Sequence, residues 1–211
     1  MIILNENKNE ANEVVQQEVN YLEYVNNHIS NVKKAFHNLF LSKLKLLHTT
    51  SITNEEFVKA VYEAKDAVNF HDNSKLDEIE FHGYRRKYNP TKYELDLTNN
   101  DPTYAEEVNA RYDEAWEHHF TVNDHHPKHW KIEDGKFDPN NQPQDMPLSA
   151  IIHMICDWQA MSYHYKNDMF EWYEKEADEE KNDLSFNSRK IVEEIFEMIK
   201  TIGNTPFTEE K

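Results

Sequence analysis

Glycine is nearly missing from this chain: among 211 residues only Gly83, Gly135 and Gly203 occur. A phosphate-cradling loop, a dinucleotide fingerprint or a nucleophile elbow each needs two or more glycines close together, so none of them can be built here. Cysteine is rarer still. The single Cys156 excludes an internal disulfide and suits a reducing compartment. Positive charge is scarce, with 23 basic against 40 acidic residues and a formal net charge of −17. A field of that sign repels phosphate backbones and anionic lipid, so neither bulk nucleic acid nor a membrane surface is an expected partner. A small phosphorylated ligand held by a metal and a few local cations remains compatible with it. No apolar run approaches the length of a membrane span. Met1-Ile2-Ile3-Leu4 is too short for the apolar region of a secretory leader. These absences together predict a cytoplasmic protein.

What is present is helical periodicity. Scarce glycine and few alternating β-branched residues predict an all-α fold. Residues 1–10 read as a flexible polar N-terminus. From about Ala11 the positions Leu22, Val25, Ile29, Val32, Phe36 and Leu39 recur at steps of three and four, with His28 on the edge of the stripe. Thr53-Asn54-Glu55-Glu56 has the form of a capping box. The helix it starts carries Phe57, Val61, Ala64 and Val68 on one face, and the next step of three lands on His71. Ser74 is expected to cap a short helix to about Tyr88, followed by a polar loop over 89–101. Asp101-Pro102 reads as a helix start. Residues 128–147 show no periodicity and read as a lid-like loop. Leu148 to about Tyr165 is helical again, and a last amphipathic helix from Arg189 is expected to end at Gly203 and Pro206. The expected organisation is one domain over 11–165 with a C-terminal helical extension, 166–211, packed on it.

The chemistry-bearing residues are histidines and aspartates. His71-Asp72 sits where its helix runs out, so both side chains can turn towards one point. Asp157 lies within an otherwise apolar helix, where a carboxylate is costly to bury without a cation or a metal. The segment from His118 to His129 holds five of the 12 histidines. On a continued helix His119, Asn123 and His126 share a face with Trp116 and Tyr112, and we favour His119 and His126 as the inward register. His118 and His125 form the alternative. The order is His, His-Asp, His, His, Asp. Imidazoles with carboxylates suit Mn, Fe, Co, Ni or Zn, and the lack of thiolates disfavours a structural zinc site.

His28, His71-Asp72 and Asp157 resemble the H…HD…D motif of the HD-domain metal-dependent phosphohydrolase superfamily. His71-Asp72-Asn73-Ser74-Lys75 is similar to the HDxxK form of its central motif. The further histidines resemble the expanded H…HD…H…H…D pattern of dinuclear members. Ala115 to Pro127 and Met154 to Met161 look like an uncharacterised HD-like family of phages and bacteria. The resemblance covers roughly residues 20–165. It implies an HD-domain-like helical bundle that hydrolyses a phosphomonoester or phosphodiester, often of a nucleotide, in the cytoplasm of the producing or infected cell. In it His28, His71, Asp72 and Asp157 would hold one ion, and one histidine of each pair would complete a second. Asp72 would orient the attacking water or accept its proton. Lys75 would reach a phosphate oxygen, with Arg85 and Arg86 as further phosphate-binding candidates and Asn123 as a substrate contact. Two other classes stay open: a di-iron oxygenase, as in the inositol-oxygenase-like branch, and a non-catalytic protein that binds a nucleotide or docks a host protein.

Overall fold

The computed structural model describes residues 2–202, with side chains from residue 10 onward. The described residues form nine α-helices and one two-stranded hairpin, an all-α architecture. Gly203 and Pro206, the expected helix stop, lie outside the described residues. Among the described residues no helix is long and apolar enough to cross a membrane.

Helix α1 runs Ile2–Leu39 without interruption. Residues 2–10, expected outside it, are its first turns. That stretch is polar but contains neither proline nor glycine, so nothing stops a solvated helix from extending through it. The buried stripe of α1 matches the expected one at Val25, Val32, Phe36 and Leu39 but takes Tyr21 and His28 in place of Leu22 and Ile29. Tyr21, Val25, His28, Val32, Phe36 and Leu39 are buried, whereas Leu22 and Ile29 are only partly so. His28 therefore lies in the middle of the stripe.

The chain divides into two compact units, one made of the segment up to Asn27 with Asp72–Val122, the other of His28–His71 with Asn123 onward. In the first unit α3 (Glu78–Tyr88), α4 (Lys92–Asn100) and α5 (Pro102–Val122) carry most of the structure. Helix α4 replaces the expected polar loop. Thr91 accepts from the Glu94 backbone N–H, and the Glu94 side chain accepts from that of Thr91, a second capping box that offsets the weak apolar signal. Helices α3 and α5 meet at Gly83. A β-carbon built there would lie 2.6 Å from Ala115 Cβ and 2.7 Å from the Arg111 carbonyl oxygen. Backbone cannot yield as a flexible side chain does. Gly83→Ala is expected to destabilise the fold by about 1–3 kcal/mol through overpacking, measured as a lowered denaturant midpoint with an unchanged slope.

The second unit is built on α2 (Asn54–Asn69), α6 (Leu148–Tyr165) and α9 (Phe186–Thr201), with the short α7 (Met169–Lys175) and α8 (Asp178–Asp183). The Thr53 capping box starts α2 as expected. Helix α6 buries nearly every side: Ile151, Ile152, Met154, Ile155, Cys156 and Ala160 all join one apolar cluster with Val61, Val68, Ile195 and Ile199. The expected lid-like loop, 128–147, carries local structure in its first half. Residues Pro127–Lys131 form a 3₁₀ turn, and β1 (Ile132–Glu133) pairs with β2 (Lys136–Phe137). Asp134 and Gly135 bridge the strands with φ of 51° and 74°, the two-residue Asp-Gly turn that suits strand twist. Further on, Gln144 N donates to the Trp130 carbonyl at 2.8 Å and Met146 N to the buried Ser188 hydroxyl at 2.7 Å.

Candidate metal centre

Among the described residues each unit holds a cluster of histidines and carboxylates. In the second unit the cluster is built by α1, the end of α2, the turn after α5, and α6. His71 follows the stripe Phe57, Val61, Ala64 and Val68, as its spacing predicts, and its backbone N–H still reaches the Val68 carbonyl at 3.3 Å. His28 Nε2 lies 2.9 Å from His71 Nε2 and 3.0 Å from Asp157 Oδ1, and His71 Nε2 lies 3.7 Å from the same oxygen. The other nitrogen of His71, Nδ1, is 2.9 Å from His153 Nε2. His125 packs its ring 4.7 Å from that of His71 and 4.3 Å from that of His153, with Nε2 3.9 Å from Asp157 Oδ2. His28, His71, His125 and His153 are all buried.

These distances fit a cation. An imidazole nitrogen has one in-plane position, holding either a hydrogen or a lone pair, so His28 Nε2 can serve only one of its two close neighbours by a linear hydrogen bond. Atoms bound at about 2.0–2.1 Å to one ion stand about 3.0 Å apart at a right angle and about 3.4 Å at the tetrahedral angle. The triangle of His28, His71 and Asp157 falls close to that range. Its two nitrogens and one carboxylate oxygen suit a borderline transition metal. Neighbouring Cys156 adds no thiolate: burial, helped by the adjacent Asp157 charge, pushes its thiol well up and keeps it protonated.

The first unit holds Asp72, Ser74, Lys75, Glu80, His118 and His119. Asp72 sits in the left-handed region at φ 54°. An aspartate tolerates that conformation better than most residues, and the reversal buries both members of the adjacent pair His71-Asp72. Lys75 Nζ donates to Asp72 Oδ2. His119 Nε2 is 3.4 Å from Asp72 Oδ1. Its Nδ1 is 2.8 Å from Glu80 Oε2, and His118 Nδ1 is 2.7 Å from Glu80 Oε1. Burial raises the Glu80 carboxyl, but its hydrogen bonds with His119, His118 and Ser74 outweigh that and hold it below the usual carboxylate range.

Burial distinguishes the members of the two histidine pairs. Helix α5 stops at Val122, so His119, Asn123 and His126 do not share a helix face. His126 takes an extended conformation ahead of Pro127, as the residue before proline usually must. The buried member of the first pair is His119; of the second it is His125, with His126 half-buried and its ring 4.3 Å from that of His125. Asn123 accepts from the His126 backbone N–H at 3.2 Å through its own carbonyl. Arg85 and Arg86, candidates for phosphate, are held by carboxylates instead. Arg85 grips both oxygens of Glu94, with Nη2 at 2.8 Å, and Arg86 lies 3.5 Å from Glu94 and 3.8 Å from Glu107. On a chain this acidic, an arginine finds a carboxylate within its own unit.

Two residues escaped the sequence reading. His153 lies one turn before Asp157 on α6, and that i, i+4 spacing was the available signal. Glu80 had none, because an acid in the first turn of a helix is expected for dipole reasons alone.

An all-α protein with buried histidines and aspartates that could hold a metal ion is thus the class that fold and site define. The chain belongs to a family of unknown function (DUF5662), whose model matches residues 17–198. No curated protein and no solved structure matches it.

Proposed function

We propose that this protein is a divalent-metal-dependent phosphohydrolase acting on a nucleotide or similar small phosphate inside the cell. The observation that carries the reading is the convergence of His28 Nε2, His71 Nε2 and Asp157 Oδ1 within 3.7 Å of one another. The reaction class comes from the resemblance of His28, His71-Asp72 and Asp157 to the H…HD…D motif, in which Asp72 joins the same ligand set. When bound, a divalent ion supplies Lewis acidity and lowers the pKa of coordinated water. The chain's own residues supply the rest. By that resemblance Asp72 would accept the proton of the attacking water. Lys75, held at Asp72, offers its ammonium to a phosphate oxygen.

Elemental analysis of the purified protein, followed by phosphate release across a panel of nucleoside mono-, di- and cyclic phosphates, tests the reading. We expect at least one transition-metal ion per chain, turnover of a panel member, and loss of both in Asp157→Asn. Stoichiometric metal with no reaction on any member would sink the hydrolase assignment. Bound iron with an O₂-dependent optical change would transfer the site to oxygenase chemistry.

A further inference from the structure

We infer that Glu80 is a positioning residue: it fixes His119 as the Nδ1–H tautomer with Nε2 turned to Asp72, so that His119, not His118, supplies the ligand nitrogen of this pair. For its consequence at a metal the inference rests on the proposed function; the tautomer itself does not. Glu80 is fully buried, with no exposed surface. Each of its oxygens receives a different imidazole, His118 at 2.7 Å and His119 at 2.8 Å, both through Nδ1. An ionised carboxylate only accepts, so the hydrogen must sit on Nδ1 of each ring. A neutral imidazole has one N–H, which leaves a lone pair on Nε2. In His119 that lone pair faces Asp72 Oδ1 at 3.4 Å, close to the spacing of two ligands on one ion.

The rest of the unit holds this arrangement still. Trp116 stacks on the His119 ring at 5.9 Å and 26°, and Tyr84 meets it edge-on at 5.9 Å and 87°. The close approach at Gly83 sets the spacing of α3 and α5, with Glu80 one turn before Gly83 and His118 and His119 one turn after Ala115. His118 is 30% exposed, as a residue whose role ends at Glu80 can be. A carboxylate that orients a ligating histidine through its second nitrogen is a recurrent supporting arrangement at metal sites.

The test uses the metal-free and metal-titrated full chain. Long-range ¹H–¹⁵N correlation of the histidine rings in the metal-free wild type should show His119 protonated on Nδ1. Glu80→Gln presents one accepting oxygen and one donating amide, so it cannot serve both rings. One of the two imidazoles should then change tautomer. Co²⁺ titration should weaken about 10–100-fold in Glu80→Gln, while His118→Ala leaves the affinity unchanged. His119 protonated on Nε2 alone in the wild type overturns the inference, and so does an unchanged Co²⁺ affinity in Glu80→Gln. If Glu80→Gln does not fold, the wild-type tautomer and His118→Ala decide. A wild type that takes up no ion overturns the proposed function alone, because the tautomer is read without metal.

Discussion

Replacing His71 by alanine is expected to abolish stoichiometric metal binding, and with it any phosphate release. His71 is the hub of its cluster. Its Nε2 lies 2.9 Å from His28 Nε2 and 3.7 Å from Asp157 Oδ1, and its Nδ1 lies 2.9 Å from His153 Nε2. Removing the ring deletes one ligand and strands a second histidine. Loss of an outer partner alone typically weakens a metal site by about 10–100-fold. The expected loss for His71→Ala is therefore above about 100-fold, with His153→Ala inside that lower range. Thermal unfolding with and without Mn²⁺ checks this without an assay of activity. Ligand at about 100 times its Kd stabilises the native state by about 2.7 kcal/mol. The wild-type transition should move up by the equivalent amount, and that of His71→Ala should not move. An equal shift in both proteins would remove His71 from the ligand set.

That hub was legible in the sequence because burial and chemistry coincided there. His71 continues a stripe of four apolar residues at helical spacing, so its inward direction followed from the period of the helix. Asp157 was legible for the same reason, lying in a stretch whose neighbours are mostly apolar, whereas His28 showed only as a residue on the edge of its stripe. The shared helix face of His119, Asn123 and His126 does not form, because the helix has already ended at Val122. Pro127 carried the correct information: it forces His126 out of the helical region, and the turn then buries His125. Thr91-Lys92-Tyr93-Glu94 and Asp134-Gly135 were likewise readable as a capping box and a tight turn, yet sat inside segments whose lack of periodicity suggested loop. Glu80 was different in kind. Its partners arrive from another helix, across a contact that only Gly83 permits, and nothing local marks it apart from Glu78.

The arginines carry a related lesson about charge. With 40 acidic residues, a lone cation is more easily matched by the protein's own carboxylates than kept for a ligand. Arg85 and Arg86 obey that rule. Lys75 obeys it too, with Asp72 as its carboxylate, so under the proposed function that ion pair would also keep the lysine near the substrate.

Asp183→Ala is expected to be the most destabilising single change in the second unit outside its apolar core. Asp183 Oδ1 accepts from Lys131 Nζ at 2.9 Å and Oδ2 from Lys128 Nζ at 2.8 Å. The Lys131 side chain is only 8% exposed, so removal of the carboxylate leaves an ammonium buried without its counter-charge. Breaking a buried pair in this way costs about 3–5 kcal/mol. Glu179, which also meets Lys128, is 76% exposed, and Glu179→Ala should cost less than about 1 kcal/mol. Chemical denaturation of the two variants separates the cases. The pH dependence has a definite sign. Burial raises the Asp183 carboxyl, but the hydrogen bonds and charges of Lys128 and Lys131 outweigh it and hold it below the usual range. Its contribution is fully present above the ordinary aspartate value and disappears as pH falls through the depressed one. Burial lowers Lys128, and its bonds to Asp183 and Glu179 outweigh that, so its contribution is present below the ordinary lysine value and disappears as pH rises through the raised one. Between those limits the pair is at full strength. Both lysines lie in the 3₁₀ turn that directly follows His125-His126, and this turn is also fastened by Trp130 Nε1 donating to the Asp124 carbonyl at 2.8 Å. Loosening it should release His125 from the ring cluster, so Asp183→Ala should also weaken Co²⁺ binding, although Asp183 itself belongs to neither histidine–carboxylate cluster.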